Sequence, residues 1–271
     1  AIVVIMTVGV ASSKPGSLSP QALSALLASQ IPGAHLVMAH ERLLPVHPVL
    51  APLFGVSSDD PLPLGLVRGH TLACTGSAAM SSALAVLVAP TQSGSWAGVV
   101  GLPSVGVLAA ADLGVALERT IFVSDPMGTR NHGEQRPDVA AVLSALVDGV
   151  DVLLLAQRLA TSLPLSLMRR VQTRVQTRGG ILVIVGDPAP LSVDIRLNAT
   201  TVEWQGVGTG HGHLQRRRVV LQLDGRRRAR ATEHEVWLPD AQGQLSAVVQ
   251  QSEKSAVAEQ AGVVVPLRRT G

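Results

Sequence analysis

Aromatic side chains are scarce in this chain of 271 residues, which contains two phenylalanines, three tryptophans and no tyrosine. Apolar residues nevertheless make up 46% of the sequence, so a sizeable core must be built from aliphatic side chains. Proteins that bind single-stranded nucleic acid often stack the bases on several aromatic rings. The composition therefore gives poor support for a stacking platform of that kind.

Cysteine is nearly absent, and long hydrophobic runs are missing. The single cysteine, Cys74, excludes an internal disulfide framework, and its apolar neighbours predict a buried, unreactive thiol. No apolar run approaches the ~20 residues of a membrane-spanning helix. The N-terminal AIVVIMTVGV has no preceding basic region and is a poor signal peptide. We therefore expect a cytoplasmic protein without a membrane partner.

Positive charge is concentrated in one segment. The formal net charge is +3, yet residues 214–230 contain seven arginines and only one aspartate. Six of these arginines form two triplets around VVLQLDG, and the Asp-Gly turn signal predicts a hairpin that brings both triplets together. Two interpretations stay open: a solvated sheet edge that opposes aggregation, or a surface that contacts DNA phosphates or an acidic partner. The triplets are Arg216, Arg217, Arg218, Arg226, Arg227 and Arg228.

Apolar strands alternate with helical segments from residue 68 onward. Each expected strand is a continuous apolar run, which is typical of a parallel sheet covered by helices on both faces. After residue 193, strand-like segments follow one another without intervening helices, and we expect them to extend the sheet as antiparallel strands. The prediction is an open, mostly parallel α/β sheet. Its strands are expected at residues 70–74, 96–101, 119–124, 150–156 and 181–186.

This alternation also predicts the organisation of the chain. We expect an N-terminal tail and helical segment at residues 1–67, the sheet domain at 68–239, and a flexible tail at 240–271. The C-terminal tail is polar except for an apolar patch followed by two arginines, and such segments can fold on a partner. The residues predicted to dock there are Val263, Val264, Val265 and Leu267.

The segment GHTLACTGSAAMSSALAVL (69–87) has the outline of a phosphate-binding loop: an apolar strand, a turn of small residues and a helix. A working loop reads GxxxxGK[ST], and its lysine reaches the phosphates. Neither possible alignment keeps both glycines, and the only lysines, Lys14 and Lys254, lie in the predicted tails. We therefore predict no bound cofactor. The remnant positions are Thr75, Gly76, Met80, Ser81 and Ser82.

A glycine-rich segment, GVGTGHGHL (206–214), places His211 and His213 two residues apart. Two such histidines could contribute to a metal site. No third ligand is evident nearby in the sequence. A flexible hairpin loop is therefore favoured, and we predict no metal.

Four segments together carry a likeness to known proteins. They are the turn at 75–82, the block WAGVVGLPSVGVLAAADLGVALERTIFVSDP (96–126), VDVLLL (150–155), and the most distinctive part, VDIRLNATTVEWQGVGTGHGHLQRRRVVLQLDG (193–225). On these segments the chain resembles RecA-fold proteins from about Arg68 to Trp237, and more narrowly the actinobacterial ImuA-type accessory proteins of mutagenic translesion synthesis.

The resemblance implies where an ATPase of this fold would hold its catalytic carboxylates. The glutamate position falls at residues 101–104, which read Gly-Leu-Pro-Ser, and the magnesium-supporting aspartate falls at Ala156. Lysine, glutamate and aspartate are thus all missing, which predicts that ATP is not hydrolysed. The segments that correspond to recombinase DNA-binding loops, 157–162 and 187–192, look too short to wrap DNA.

By resemblance, we expect a non-catalytic adaptor of a DNA-damage-induced translesion synthesis complex that acts by protein–protein binding. The implied partners are an ImuB-like Y-family protein and an error-prone C-family DNA polymerase, with at most weak, non-specific DNA binding. Two alternatives stay open. One is a residual ATP- or DNA-binding recombinase-like protein, and the other is a SulA-like cell division inhibitor.

Overall fold

The structure is a computed structural model. It describes residues 43–54, 65–124, 138–208, 211–226 and 231–248. These ranges leave out the first 42 residues of the predicted N-terminal tail and helical segment. They also leave out the docking residues Val263, Val264, Val265 and Leu267, and Arg227 and Arg228. None of the helices described is long and apolar enough to cross a membrane.

Nine strands of the described chain form one sheet, and two more form a separate antiparallel pair. The strands are β1 (Leu43–Pro45), β2 (Gly65–Val67), β3 (Thr71–Thr75), β4 (Ala97–Val100), β5 (Thr120–Val123), β6 (Val152–Ala156), β7 (Ile181–Val185), β8 (Ile195–Gly208), β9 (His211–Gly225), β10 (Thr232–Trp237) and β11 (Ser246–Ala247). The sheet order is β11-β10-β9-β8-β3-β7-β6-β4-β5. The six strands from β8 to β5 are parallel, and β9, β10 and β11 continue the sheet in antiparallel fashion. The predicted fold class is confirmed.

Helices cover both faces of this sheet. They are α1 (Ala51–Phe54), α2 (Ala79–Gln92), α3 (Val107–Asp112), α4 (Val139–Gly149), α5 (Gln157–Ser162) and α6 (Leu165–Arg178). Capping follows the sequence: the Asp138 side chain accepts from Ala140 N at the start of α4, and Gly179 ends α6 in the left-handed conformation. The segment 157–162, expected to be a short loop, forms helix α5 instead.

The direction of each crossover decides which face its helix covers, because parallel crossovers are right-handed. The steps from β3 to β4 and from β4 to β5 run one way along the sheet and place α2 and α3 on one face. The steps from β5 to β6 and from β6 to β7 run the other way and place α4 and α6 together on the opposite face. The chain thus leaves the neighbouring strands β3 and β7 toward opposite faces. Such a switch point is where open α/β sheets usually bind ligands.

The described chain on either side of the predicted sheet domain also packs on it. Leu44, Leu53 and Leu66, from the segment before residue 68, are fully buried, and Leu53 O accepts from the Thr232 hydroxyl. Beyond Pro239, where the tail was expected to begin, β11 pairs with β10 and Leu245 is buried. The core therefore extends past both expected boundaries.

Strands β8 and β9 project beyond the sheet as a two-stranded ribbon. β3 pairs with β8 only as far as Asn198, and β10 pairs with β9 only from Arg218 onward. The glycine-rich segment expected to be a flexible loop is mostly strand, since β8 continues to Gly208 and β9 begins at His211. The alternating glycines allow this pairing: Gly206 has a φ of +99°, and a Cβ there would lie 2.3 Å from His213 O.

Candidate functional site at the degenerate phosphate loop

The turn between β3 and α2 is short, and two backbone amides at its end are bonded within the protein. Only Gly76, Ser77 and Ala78 connect the two elements. A phosphate-binding loop must keep backbone N–H groups free for the ligand. Here Ala78 N donates to Ala199 O at 2.9 Å, and Ala79 N donates to Gly76 O at 3.2 Å. The Ala78 and Ala79 amides are therefore not free to bind a phosphate.

Strand β8 occupies the space beside this turn. Thr201 N donates to Ser77 Oγ at 2.8 Å, and the Thr75 hydroxyl donates to Asn198 Oδ1 at 3.2 Å. Gly76 has a φ of +89°, and a Cβ built there would lie 2.4 Å from the Ala199 carbonyl oxygen. The one glycine that remains of the phosphate-loop pattern thus permits close approach of β8.

The other remnant positions serve the start of α2. Met80 is half-buried against the core, and the Ser82 hydroxyl donates to Ala79 O at 2.9 Å. Burial raises the pKa of the neighbouring Cys74 thiol to about 12, although its hydrogen bond with Ser82 acts in the opposite direction. Cys74 is fully buried, as predicted. These residues have structural roles in the interior.

A buried arginine reaches the turn from a distant strand. Arg217 of β9 is only 8% exposed, and its Nη2 donates to the Ser81 hydroxyl at 2.6 Å. Its Nε donates to Leu238 O at 2.7 Å, and its guanidinium lies 5.0 Å from the Trp204 ring centroid. Burial lowers the pKa of Arg217. The chain therefore does place a cation at the degenerate loop, but neutral protein groups hold it.

This role of Arg217 was not predicted from the sequence, because no arginine lies within the loop itself. Position 81 is in the first turn of α2, where the positive end of the helix dipole disfavours a cation. The contact depends on the register of β9, which pairs Arg217 with Trp204 across the ribbon. One local signal was present: the central arginine of a strand triplet points to the face opposite its two neighbours.

The strand ends that would hold catalytic carboxylates hold none. Gly101 follows β4 with a φ of +69°, and its N donates to Val123 O at 3.1 Å. Ala156 ends β6 and is 6% exposed. An acid that the sequence analysis did not single out, Asp187, follows β7, where its exposed carboxylate accepts from Ala189 N at 3.2 Å. Asp187 is thus engaged in its own turn.

The first arginine triplet and Arg226, the one described member of the second triplet, are not brought together, which corrects the sequence interpretation for these four residues. Arg216, Arg217 and Arg218 lie within β9 and Arg226 directly follows its last residue, so no hairpin turn separates them and none can fold one onto the other. Arg218 pairs with Trp237, whereas Arg226 lies at the far end of β9, where its N donates to Asp194 O. Eight residues of extended chain separate Arg218 from Arg226 by roughly 25 Å.

The outer members of the first triplet also have partners. The Arg216 guanidinium lies 4.0 Å from the Trp237 ring centroid, and its Nε donates to Gln205 Oε1 at 2.6 Å. Arg218 forms ion pairs with Glu203 at 3.2 Å and with Glu235 at 3.4 Å. These contacts favour the reading of a charged sheet edge over that of a free phosphate-binding patch.

The histidine pair has no metal-ligating cluster around it. Within the ranges that the structure describes, no group of three or more His, Cys, Asp or Glu side chains could hold a metal ion. His213 lies on the exposed ribbon. The described chain therefore adds no third ligand to the pair.

Two comparisons relate the chain to known proteins. Residues 60–190 match the model of the MT3502 N-terminal domain family. The chain is also 33% identical over 135 residues to the uncharacterized protein Rv3395c of Mycobacterium tuberculosis (strain ATCC 25618 / H37Rv), which covers 49% of this chain and 53% of that protein. The chain thus spans about half the length of this relative. The family match contains β2 to β7 and the degenerate loop, and it ends before the ribbon.

Proposed function

We propose that this protein is a non-catalytic adaptor with a RecA-like fold, in which structural contacts have replaced the nucleotide site. The observation that carries the proposal is the closed turn after β3. The Ala78 amide of this turn donates a hydrogen bond to β8, and the Arg217 guanidinium donates one to the neighbouring Ser81 hydroxyl. A triphosphate could enter only if these contacts broke.

The chemistry of the strand ends supports the same proposal. Phosphoryl transfer relies on charge neutralisation, water activation and metal placement. The described ends of β3, β4 and β6 provide no lysine, no glutamate and no aspartate for these tasks. Binding, without turnover, is the role that remains for such a sheet.

The proposed biological setting is a DNA-damage-induced translesion synthesis complex in the cytoplasm. The support is the sequence resemblance to ImuA-type accessory proteins in residues 96–126 and 193–225. Similarity to a mycobacterial protein is compatible with that actinobacterial family. The partners that we propose are an ImuB-like Y-family protein and, directly or through it, an error-prone C-family polymerase.

Nucleotide titration tests the non-catalytic part of the proposal. Purified protein is titrated with MgATP by calorimetry, and phosphate release is measured with and without DNA. We expect neither saturable heat nor turnover above the blank. Micromolar affinity or DNA-stimulated hydrolysis would instead support the residual ATPase.

Affinity capture tests the adaptor part. The tagged full chain is mixed with an ImuB-like Y-family protein or with the tubulin-like division protein, and bound material is quantified. We expect retention of the Y-family protein only. Retention of the division protein alone would support the SulA-like alternative and refute the adaptor.

A further inference from the structure

A groove separates α4 from α6 on the face of the sheet opposite α2. Its volume is about 760 Å³, within the range of ~300–1,000 Å³ that is usual for binding pockets. Ala140 and Val147 of α4 and Leu167 and Val171 of α6 provide apolar lining. Val147 and Val171 are almost fully buried, while Ala140 and Leu167 are half-buried. The groove therefore has an apolar floor that an incoming side chain could cover.

One wall of this groove is a stripe of arginines. Arg170, Arg174 and Arg178 line it, and all three side chains are exposed. They are four residues apart on α6, so successive guanidinium groups emerge about 6 Å apart along the helix axis. Like charges with this spacing repel one another within an isolated helix, so the stripe does not contribute to the stability of α6.

The groove supplies one carboxylate for these three cations. The Asp148 carboxylate accepts from Arg174 Nε at 2.8 Å and also from Arg174 Nη2. It lies 3.6 Å from Arg178 Nε, and the Arg174 guanidinium lowers the Asp148 pKa. Arg170 has no acidic partner within the described part of the chain. Three cations and one anion leave the lining with a net charge of +2.

The occupant must therefore be acidic along one side and apolar along another. We propose that the α4–α6 groove binds an acidic amphipathic helix of a partner protein. Carboxylates at positions i, i+4 and i+8 of such a helix would repeat every ~6 Å and face the arginine stripe, while its apolar side chains cover the floor. The inference deepens the proposed adaptor role and rests on it.

Other occupants fit less well. Duplex DNA has no apolar face to cover the floor. The terminal segments of this chain are not acidic: residues 1–42 hold one lysine, one arginine and one glutamate, and residues 249–271 hold one lysine, two arginines and two glutamates. Each segment thus has a net charge of +1. Charge complementarity favours a segment supplied in trans.

A synthetic helix provides the test with the full chain. The probe is a fluorescein-labelled helical peptide of roughly 16 residues, long enough to populate a helix, with leucines on one face and glutamates at i, i+4 and i+8 beside it. Peptide anisotropy is measured against protein concentration. A peptide with lysine at those positions and a duplex of about 20 base pairs serve as comparison probes. We expect saturable binding of the glutamate peptide only.

Two matched variants test whether the peptide binds in the groove. Arg170→Glu reverses the charge of the unpaired arginine, and Arg169→Glu makes the same change at an exposed neighbour that does not line the groove. We expect Arg170→Glu to weaken binding about tenfold or more and Arg169→Glu to change it less than about twofold. Circular dichroism spectra and melting curves confirm that both variants are folded. A peptide with one glutamate replaced by lysine should recover affinity for Arg170→Glu.

Three results would overturn the inference. They are no anisotropy change with the glutamate peptide, equal losses in the two variants, and tighter binding of the duplex that depends on Arg170. None of these bears on the MgATP titration or on capture of the Y-family protein. A result against the groove inference can therefore be distinguished from a result against the adaptor proposal.

Discussion

Replacing Arg217 by alanine tests whether the degenerate loop is now a structural contact. The side chain is 8% exposed, and its Nε bond to Leu238 O is buried. Hydrogen bonds that involve a charged group contribute about 1.5–3 kcal/mol each to stability. Truncation removes two of them, to Leu238 O and Ser81 Oγ, together with the cation–π contact between the guanidinium and the Trp204 ring.

Part of this loss is offset, because burying the guanidinium is itself costly. We expect Arg217→Ala to lower the free energy of unfolding by roughly 2–4 kcal/mol. Arg217→Met keeps much of the volume but loses the hydrogen bonds, so its cost should be smaller, about 1–2 kcal/mol. The matched control is Arg216→Ala, whose half-buried side chain should cost no more than about 1 kcal/mol.

Urea denaturation followed by circular dichroism measures these differences, provided that the transitions are two-state. Equal costs for Arg217→Ala and Arg216→Ala would show that the buried contacts at Ser81 and Leu238 contribute little. A variant Arg217→Met that is as stable as the natural protein would mean that desolvation cancels the hydrogen bonds. Either result would refute the reasoning.

Three further predictions follow from single contacts. Gly76→Ala should lower the free energy of unfolding by at least about 2 kcal/mol more than Gly94→Ala does. Both glycines have a positive φ, but only at Gly76 would the new Cβ lie 2.4 Å from a backbone oxygen. Equal urea midpoints for the two variants would contradict this. Cys74, whose pKa is raised to about 12, should resist iodoacetamide at pH 8 in the native state and react in urea, and rapid native labelling would refute its burial. Burial lowers the His47 pKa, so the free energy of unfolding should decrease as the pH falls below the unfolded-state pKa of about 6.5. His47→Asn should reduce this pH dependence, and a variant with an unchanged pH profile would show that His47 does not cause it.

The parallel strands could be predicted because burial on both faces leaves a direct mark on the sequence. The runs HTLAC, VDVLLLA and ILVIVG were expected as strands and correspond to β3, β6 and β7 within two residues. Polar or small residues flank each run, so each run is too short for a buried helix and is best explained as a strand. Helix α3 is harder to bound from the sequence: it ends at Asp112, and the chain turns at Gly114, which has a φ of +104°.

The antiparallel part of the sheet was harder, because its register depends on distant residues. Two shifts in pairing, at Val202 and Gly206, change which residues of the ribbon face each other. Arg217 is buried only in the resulting register, and a one-residue slip would move it to the outer face. Three adjacent arginines therefore look alike in sequence, yet one of them contacts the start of α2.

Charge spacing explains why the α4–α6 groove was missed. Contiguous triplets such as Arg216 to Arg218 are conspicuous in the sequence, but on a strand their side chains point alternately to opposite faces. Arg170, Arg174 and Arg178 are separated by four residues and look dispersed, although a helix aligns them on one side. A helical plot of residues 165–178 would have shown this stripe. Its apolar floor needed α4 as well, and the pairing of two helices is not visible in either one alone.

The contacts at the turn also predict that a single substitution, Ser81→Lys, would not create a nucleotide site. A phosphate loop keeps amides unpaired in the absence of ligand, whereas Ala78 N is paired with Ala199 O here. A lysine at position 81 would bring a second cation next to Arg217, which already bonds to that side chain. Repulsion between the two cations would oppose the folded state before any phosphate arrived. An active nucleotide site would therefore require three changes: moving β8 away from the turn, removing the Arg217 contact, and supplying carboxylates after β4 and β6. The first two changes would each break contacts that stabilise the sheet.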